Sequence, residues 1–253
     1  MLKRFLRSSA APAAALLLCA VPACAAGADS LRDARQLLLV TTAGWDSTTA
    51  LLRRFERASA GTSWREVGEP MPAVVGRNGL GWGRGLNATQ GEGPRKHEGD
   101  GRAPAGIFSL GPAFGYAPPS SDMVLRLPYL QLTSAVECVD DMESASYNTI
   151  IDTGRAARDW KSSEAMAHAG VFYRWGVVVH HNADPVVVGD GSCIFIHCWG
   201  GATVATSGCT ALEESNVVAL LRWLDADRAP LLVQLPASEI GRLGPLWGLP
   251  PVR

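Results

Sequence analysis

The residues from Ser192 to Leu212, SCIFIHCWGGATVATSGCTAL, hold three cysteines and one histidine in a chain with only 6 Cys and 5 His. Such a cluster supports three chemistries: a disulfide knot, a metal site, or a nucleophile with its base. Along an extended strand, side chains alternate between faces. Cys193, Phe195 and His197 therefore share one side of SCIFIHCW, and Ile194, Ile196 and Cys198 share the other. Cys193 and Cys198 then lie about 16 Å apart, too far to bond to each other without breaking the strand. His197 ends the run. A loop rich in Gly, Ala and Thr follows, and then Ser207-Gly208-Cys209, which brings a thiol back toward the end of the histidine's strand. A free thiol has a pKa of about 8.5, so it needs a neighbouring imidazole to act as a nucleophile near neutral pH. Gly208 permits a tight turn, and the amides of Gly208 and Cys209 are candidates to hold a developing oxyanion. A zinc site would recruit His180 and His181 with His197 and Cys193 or Cys198. No Cys-x-x-Cys or His-Glu-x-x-His spacing occurs, so neither a metal nor another cofactor is expected.

The elements that must position these groups read as mainly β. RQLLLVTTA (35–43), TTALLRRFERAS and SWREVGEPMPAVVG are short β-prone runs, as are IFSLG, MVLRLPYLQLTSAVECVD and YNTIID. VFYRWGVVVHHN and SCIFIHCW form a further pair, and APLLVQLP closes as a strand. Residues 76–106, dominated by glycine, read as a long loop that lacks the spacing of a phosphate-binding loop. Residues 155–170 are mixed and polar, with room for a helical turn or two. EESNVVALLRWLDAD is the clearest helix: Val217, Leu220, Leu221 and Leu224 fall at i, i+3, i+4 and i+7, with acids at its start. Cys209 thus sits at a predicted loop–helix junction.

A chain of 253 residues with 47% hydrophobic content suits one globular domain. MLKRFLRSSAAPAAALLLCAVPACAAGADS has a basic start, a short apolar stretch and small residues, the form of a signal peptide ending near residue 26. This predicts a periplasmic or secreted protein with residues 27–253 as a single domain, its core at about 36–236. Removing three positive charges leaves 20 Lys+Arg against 24 Asp+Glu, a net charge of about −4. No basic run, and no regular spacing of the 8 tryptophans, suits nucleic acid. Val21-Pro22-Ala23-Cys24 is a loose likeness of a lipoprotein box, so membrane anchoring is expected only if Cys24 is lipidated. Export permits disulfides. The remaining Cys138, Cys193, Cys198 and Cys209 allow three full pairings, or one pair with two free thiols.

IHCWGGATVATSGCTAL resembles the signature of the L,D-transpeptidase (YkuD-type) catalytic domain, in which a strand-ending His precedes a Ser/Thr-x-Gly-Cys motif. EGDGRAPAGIFSLG resembles the family's upstream Gly-x-x-x-Thr-Pro-x-Gly-x-Phe element, with Ala103 in place of the Thr. VVGRNGLGWGRG, ECVDD, RWGVVVHHN and GSCIFIHCW look like a divergent bacterial branch, so the likeness spans about Gln36 to Pro236. It implies a YkuD-like β-sandwich or barrel-like domain with a short helix after the cysteine motif. It also implies an exported cysteine acyltransferase that forms a thioester with peptidoglycan stem peptides and passes the acyl group to an amine of a neighbouring stem. Carried over by position, Cys209 is the nucleophile and His197 its base. Gly208 and Cys209 supply the oxyanion amides, Thr206 and Ser207 support the motif, and carbapenem-type inhibitors bind.

Two rivals use the same residues: an L,D-carboxypeptidase or endopeptidase, with water as acceptor, and a catalytically silent peptidoglycan-binding module. Three departures stand out. Ser207 stands where the family often has a basic residue, Ala211 where it usually has Arg, and the loop from His197 to Cys209 is short. A disulfide between Cys138 and Cys193 would tie ECVDD to the strand of His197 and leave Cys209 free, with Cys198 packed in the core. His181, Asp100, Arg102 and Trp82 are candidates to line the substrate cleft, and His97 and His168 read as surface histidines.

Overall fold

The computed structural model describes residues 31–87, 90–118 and 123–251. The segment read as a signal peptide, including Cys24, lies outside the described residues. The strands are β1 (Gln36–Thr42), β2 (Thr49–Glu56), β3 (Arg65–Glu66), β4 (Met71–Val74), β5 (Leu80–Trp82), β6 (Ala103–Gly115) and β7 (Tyr129–Gln131). They continue as β8 (Val136–Val139), β9 (Thr149–Asp152), β10 (Ser163–Ala165), β11 (Trp175–Val179), β12 (Phe195–Cys198), β13 (Thr210–Leu212) and β14 (Leu231–Pro236). Two helices, α1 (Glu214–Trp223) and α2 (Ala237–Trp247), complete the fold.

Eight strands close on themselves in the order β1–β14–β6–β11–β12–β13–β4–β2, with β2 pairing back to β1. The pairings are mixed: β1–β14 and β12–β13 are parallel, the others antiparallel. Closure leaves none of the eight with a bare edge, which an open sheet would have to protect. The burial pattern follows from this. β1 (QLLLVTT) and β14 (LLVQLP) are covered on both faces and read as continuous apolar runs. β2 alternates exposed and buried residues over its first half, because one of its faces meets solvent.

The 13-residue β6 is the spine, bonded to β14 and β11 and flanked by β5 and β7. Its pairing with β11 slips between Val177 and Val179, opposite the Gly111-Pro112 step. Pro112 has no N–H to donate to the ladder, so an irregularity there is expected. Strand structure therefore begins at Ala103, inside the stretch read as loop, and that stretch also contains β5. β5 pairs with β6 from Ala103 to Ala105. The loop reading failed because the glycines serve close backbone approach: a Cβ on Gly76 would sit 2.3 Å from the Gly101 carbonyl oxygen.

Helix α1 follows the expected spacing, burying Val217, Leu220 and Leu221, with Leu224 sealed just beyond its end. Strand β13 lies between Cys209 and this helix, which corrects the predicted loop–helix junction. Helix α2 had no counterpart in the sequence reading. Gly241, Gly244 and Pro245 look like breakers, yet Ile240, Leu243 and Trp247 bury an i, i+3, i+7 stripe and Gly248 ends the helix at φ 68°.

A separate three-stranded antiparallel sheet, β10–β8–β9, lies outside the barrel. Residues 155–170 contribute β10 and a 3-10 turn (Met166–His168), with a second 3-10 turn (Gly170–Tyr173) starting where they end, and the sequence left room there for a helical turn or two. A second apolar cluster joins this sheet to the barrel and includes Phe114, Cys138, Met166, Tyr173, Phe195 and Cys209. Cys138 and Cys193, the two cysteines paired from the sequence, are disulfide-bonded across it with a Cα–Cα distance of 6.0 Å. The bond spans 55 residues, so loop-closure entropy alone makes it worth about 4 kcal/mol. A Cys138→Ser/Cys193→Ser chain should unfold at a lower urea midpoint by roughly that free energy, measured by tryptophan fluorescence.

Candidate active site

Cys209 precedes β13, and His197 lies on its parallel neighbour β12, in register with Ala211. Continuing that register by two residues sets Cys209 opposite Phe195. His197 is then two residues further along the same face as Phe195, so thiol and imidazole share one side of the barrel wall. Both line a cavity of about 440 Å³, with Thr206, Ser207, Tyr173 and Glu164 also in its wall. The alternation read from SCIFIHCW places Cys193 and Phe195 in the second apolar cluster, and Ile194, Ile196 and Cys198 in the barrel core. Cys198 is buried among core side chains, its thiol 3.5 Å from the Trp175 carbonyl, and burial pushes it up to about 11.

The imidazole is enclosed. Its ring meets Tyr173 edge-on at 5.3 Å and Phe172 at 6.3 Å. Nδ1 lies 2.7 Å from the Cys198 carbonyl oxygen. A carbonyl only accepts, so Nδ1 carries the proton and Nε2 keeps its lone pair. Burial disfavours the imidazolium and lowers His197 to about 4, against a weaker opposing pull from that carbonyl. The Cys209 thiol accepts from the Phe195 N–H at 3.3 Å and lies 3.5 Å from the Cys193 carbonyl. Burial first, and then the charge of Glu164, raise its pKa well above that of a free thiol. The resting site is therefore a neutral thiol and a neutral imidazole, not an ion pair.

Gly208 sits at φ 155°, and a Cβ there would meet the Arg102 carbonyl oxygen at 3.2 Å. The Thr206 hydroxyl donates to the Cys209 carbonyl at 2.6 Å and accepts from the Gly208 N–H at 3.1 Å. Thr206 thus locks the turn that presents the thiol. It also occupies the Gly208 amide, one of the two proposed oxyanion donors, which leaves the Cys209 amide as the candidate. Ser207 accepts from Arg77 at 3.1 Å. Ala211, where the motif resemblance implies an arginine, is buried in the cavity wall, and no lysine or arginine is among the described lining residues.

Trp82, Asp100, Arg102 and His181 do not line this cavity. Trp82 is buried on Trp45, and its indole donates to the Glu92 carbonyl. Asp100 accepts from Lys96 and from the His97 and Arg102 amides. Arg102 reaches the Leu80 carbonyl and Asp46. These three hold the glycine-rich segment that backs Gly208. His181 is buried past β11, with Nε2 donating to the Asp190 carbonyl at 2.9 Å, and its backbone carbonyl receives Asn148. Asn148 in turn accepts from the Cys193 amide at 3.0 Å, at a residue with φ 53°. Cys193 is already bonded to Cys138, so the suggested zinc set loses a ligand. Among the described residues no group of three or more His, Cys, Asp or Glu is placed to hold a metal ion.

His168 is exposed, as read from the sequence, and also lines the cavity. Two further residues there escaped the sequence reading. Glu164 on β10 accepts from the Tyr173 hydroxyl at 2.5 Å. Burial raises Glu164 despite that bond, and burial likewise raises Tyr173 well above the phenol range. The only sequence signal was an acid two residues after Ser162-Ser163's start, inside a polar stretch with no distinctive spacing.

No family model, curated protein or solved structure matches this chain. Among the described residues no helix is long and apolar enough to cross a membrane.

Both buried histidines should leave a mark on stability. His181 and His197 are lowered by burial from 6.5 to about 4. Between those values the unfolded chain binds more protons, so stability falls as pH drops from about 6.5 toward 4, on the order of 3 kcal/mol per histidine. Glu164, shifted upward, has the opposite sign and offsets part of the loss in acid. Urea midpoints should therefore be lower at pH 4.5 than at pH 7.

Proposed function

We propose that this protein is a cysteine acyltransferase of the L,D-transpeptidase type, exported to act on peptidoglycan stem peptides. One observation carries the reading: a free thiol at Cys209, just before β13, and a neutral imidazole at His197 on the neighbouring β12, with Nε2 unprotonated, line the same cavity. The sequence motifs that name the same pair support it independently.

The chemistry follows from the resting state. As Cys209 Sγ attacks the amide carbonyl carbon, its proton passes to His197 Nε2. Attack and proton transfer must be coupled, because burial opposes both the thiolate and the imidazolium when they stand alone. The oxyanion is held by the Cys209 amide, fixed by the Thr206 turn. The imidazolium then protonates the leaving amine, which departs and leaves a thioester on Cys209. An amine of a second stem completes transfer, and water completes hydrolysis. A buried neutral thiol also accounts for a cysteine that stays reduced in an oxidising compartment, since the thiolate is the species that oxidises.

The mature protein should take up one carbapenem per chain, read by intact mass, and Cys209→Ala should take up none. His197→Gln should slow that acylation roughly 100-fold or more, while leaving the fold intact by circular dichroism. Wild-type Cys209 should react more slowly with iodoacetamide at pH 7 than free cysteine does. Absence of any carbapenem adduct would point instead to a binding module.

A further inference from the structure

Transfer requires more of the site than one base. An acceptor amine arrives in water as an ammonium ion and must shed one proton before it attacks and a second as the amide forms. His197 can receive only one at a time. The cavity wall contains a second group suited to the first proton. Glu164 lines the cavity beside Cys209, and its charge acts on the thiol. One carboxyl oxygen, Oε2, is fixed by Tyr173. The other has no hydrogen-bond partner among the described residues and is not fully buried. No lysine or arginine lines this cavity. Asp140 and Glu98 add negative charge felt at Glu164, and Asp140 Oδ1 is buried without a partner. Lys96, paired with Asp100, acts on the Cys209 thiol, but the neighbouring charges felt at Glu164 itself are both acids, which favours a cation at that carboxyl.

The backbone shows why the carboxyl is held there. Glu164 pairs with Cys138 across β10 and β8, and Cys138 is bonded to Cys193, whose carbonyl neighbours the Cys209 thiol. The disulfide thus clamps the acid-bearing strand against the nucleophile.

Resting on the acyltransferase reading, we infer that Glu164 forms the acceptor subsite, where its carboxylate binds the incoming ammonium group and takes its first proton. The neutral amine then attacks the thioester carbon, so a C–N bond forms and the C–S bond breaks. The second amine proton passes to His197 and from there to the departing Cys209 sulfur, restoring the thiol. Glu164 releases the first proton to solvent. The first half-reaction, formation of the thioester, makes no use of Glu164.

The test compares wild type, Glu164→Gln and Glu164→Asp. Each is first exposed to a carbapenem and weighed intact, then incubated with a purified disaccharide-tetrapeptide, which serves as donor and acceptor. Crosslinked dimer reports transfer, and disaccharide-tripeptide reports hydrolysis. All three should form the carbapenem adduct. Glu164→Gln should lower the dimer-to-tripeptide ratio by roughly 100-fold, and Glu164→Asp should recover part of it. An unchanged ratio in Glu164→Gln, loss of the adduct in both variants, or a wild type that only hydrolyses would each overturn the inference. A wild type that forms neither adduct nor product would overturn the acyltransferase reading itself.

Discussion

The covalent bond between Cys138 and Cys193 is the constraint on which the rest of the site depends. Its barrel half, Cys193, sits just before β12 in the left-handed region, at φ 53°. A non-glycine residue there costs on the order of 1 kcal/mol or more and persists only where its surroundings hold it. They do so twice. The disulfide pulls from one side, and the Asn148 side chain accepts the Cys193 amide while donating to the carbonyls of His181 and Asn182. The turn so fixed sets where β12 starts, and therefore which face carries Phe195 and His197. The same bond seats the small sheet over the cavity, closing an apolar cluster that contains Cys209.

Enclosure on this scale shapes the chemistry. Burial pushes the thiol up and the imidazole down, so the two nearest candidates for charge separation are both neutral at rest. That is a poor arrangement for a nucleophile that must wait as a thiolate. It suits one that is generated only when a carbonyl carbon is in place and proton transfer is concerted with attack. The one acid in the wall, Glu164, is kept close by Tyr173 and by its strand's tie to the disulfide. A single wall therefore joins a neutral thiol and imidazole to a carboxyl group.

Much of this was legible in the residue order where the signal is local. Strand alternation holds over Phe195–Cys198 of SCIFIHCW, while Cys193 lies before the strand in a left-handed turn, and the i, i+3, i+4 spacing located α1. Failures came where local preference and packing disagree. Pro245 and two glycines hid α2, because docking of Ile240, Leu243 and Trp247 outweighs their poor helix propensity. The glycines of residues 76–106 suggested a loop, but they let backbone pack on backbone beside β5 and β6. Trp82, Asp100, Arg102 and His181 had the right chemical types for a cleft, yet each is spent on holding the glycine-rich segment or the Cys193 turn.

By itself, the sequence determined the mainly-β character and the two cysteines able to staple, and it singled out Cys209 and His197 as the candidate pair, because motif spacing and strand alternation act over a few residues. The tertiary structure alone decided the closed eight-stranded barrel, the neutral state of thiol and imidazole, and the arrival of Glu164 beside Cys209. Those depend on register between distant strands and on desolvation, which no short stretch of sequence encodes. The arginine that the motif resemblance implies at Ala211 bears on the same point. Among the described residues no lysine or arginine lines the cavity, and the charge that the fold brings in is an acid from a strand 45 residues before Cys209.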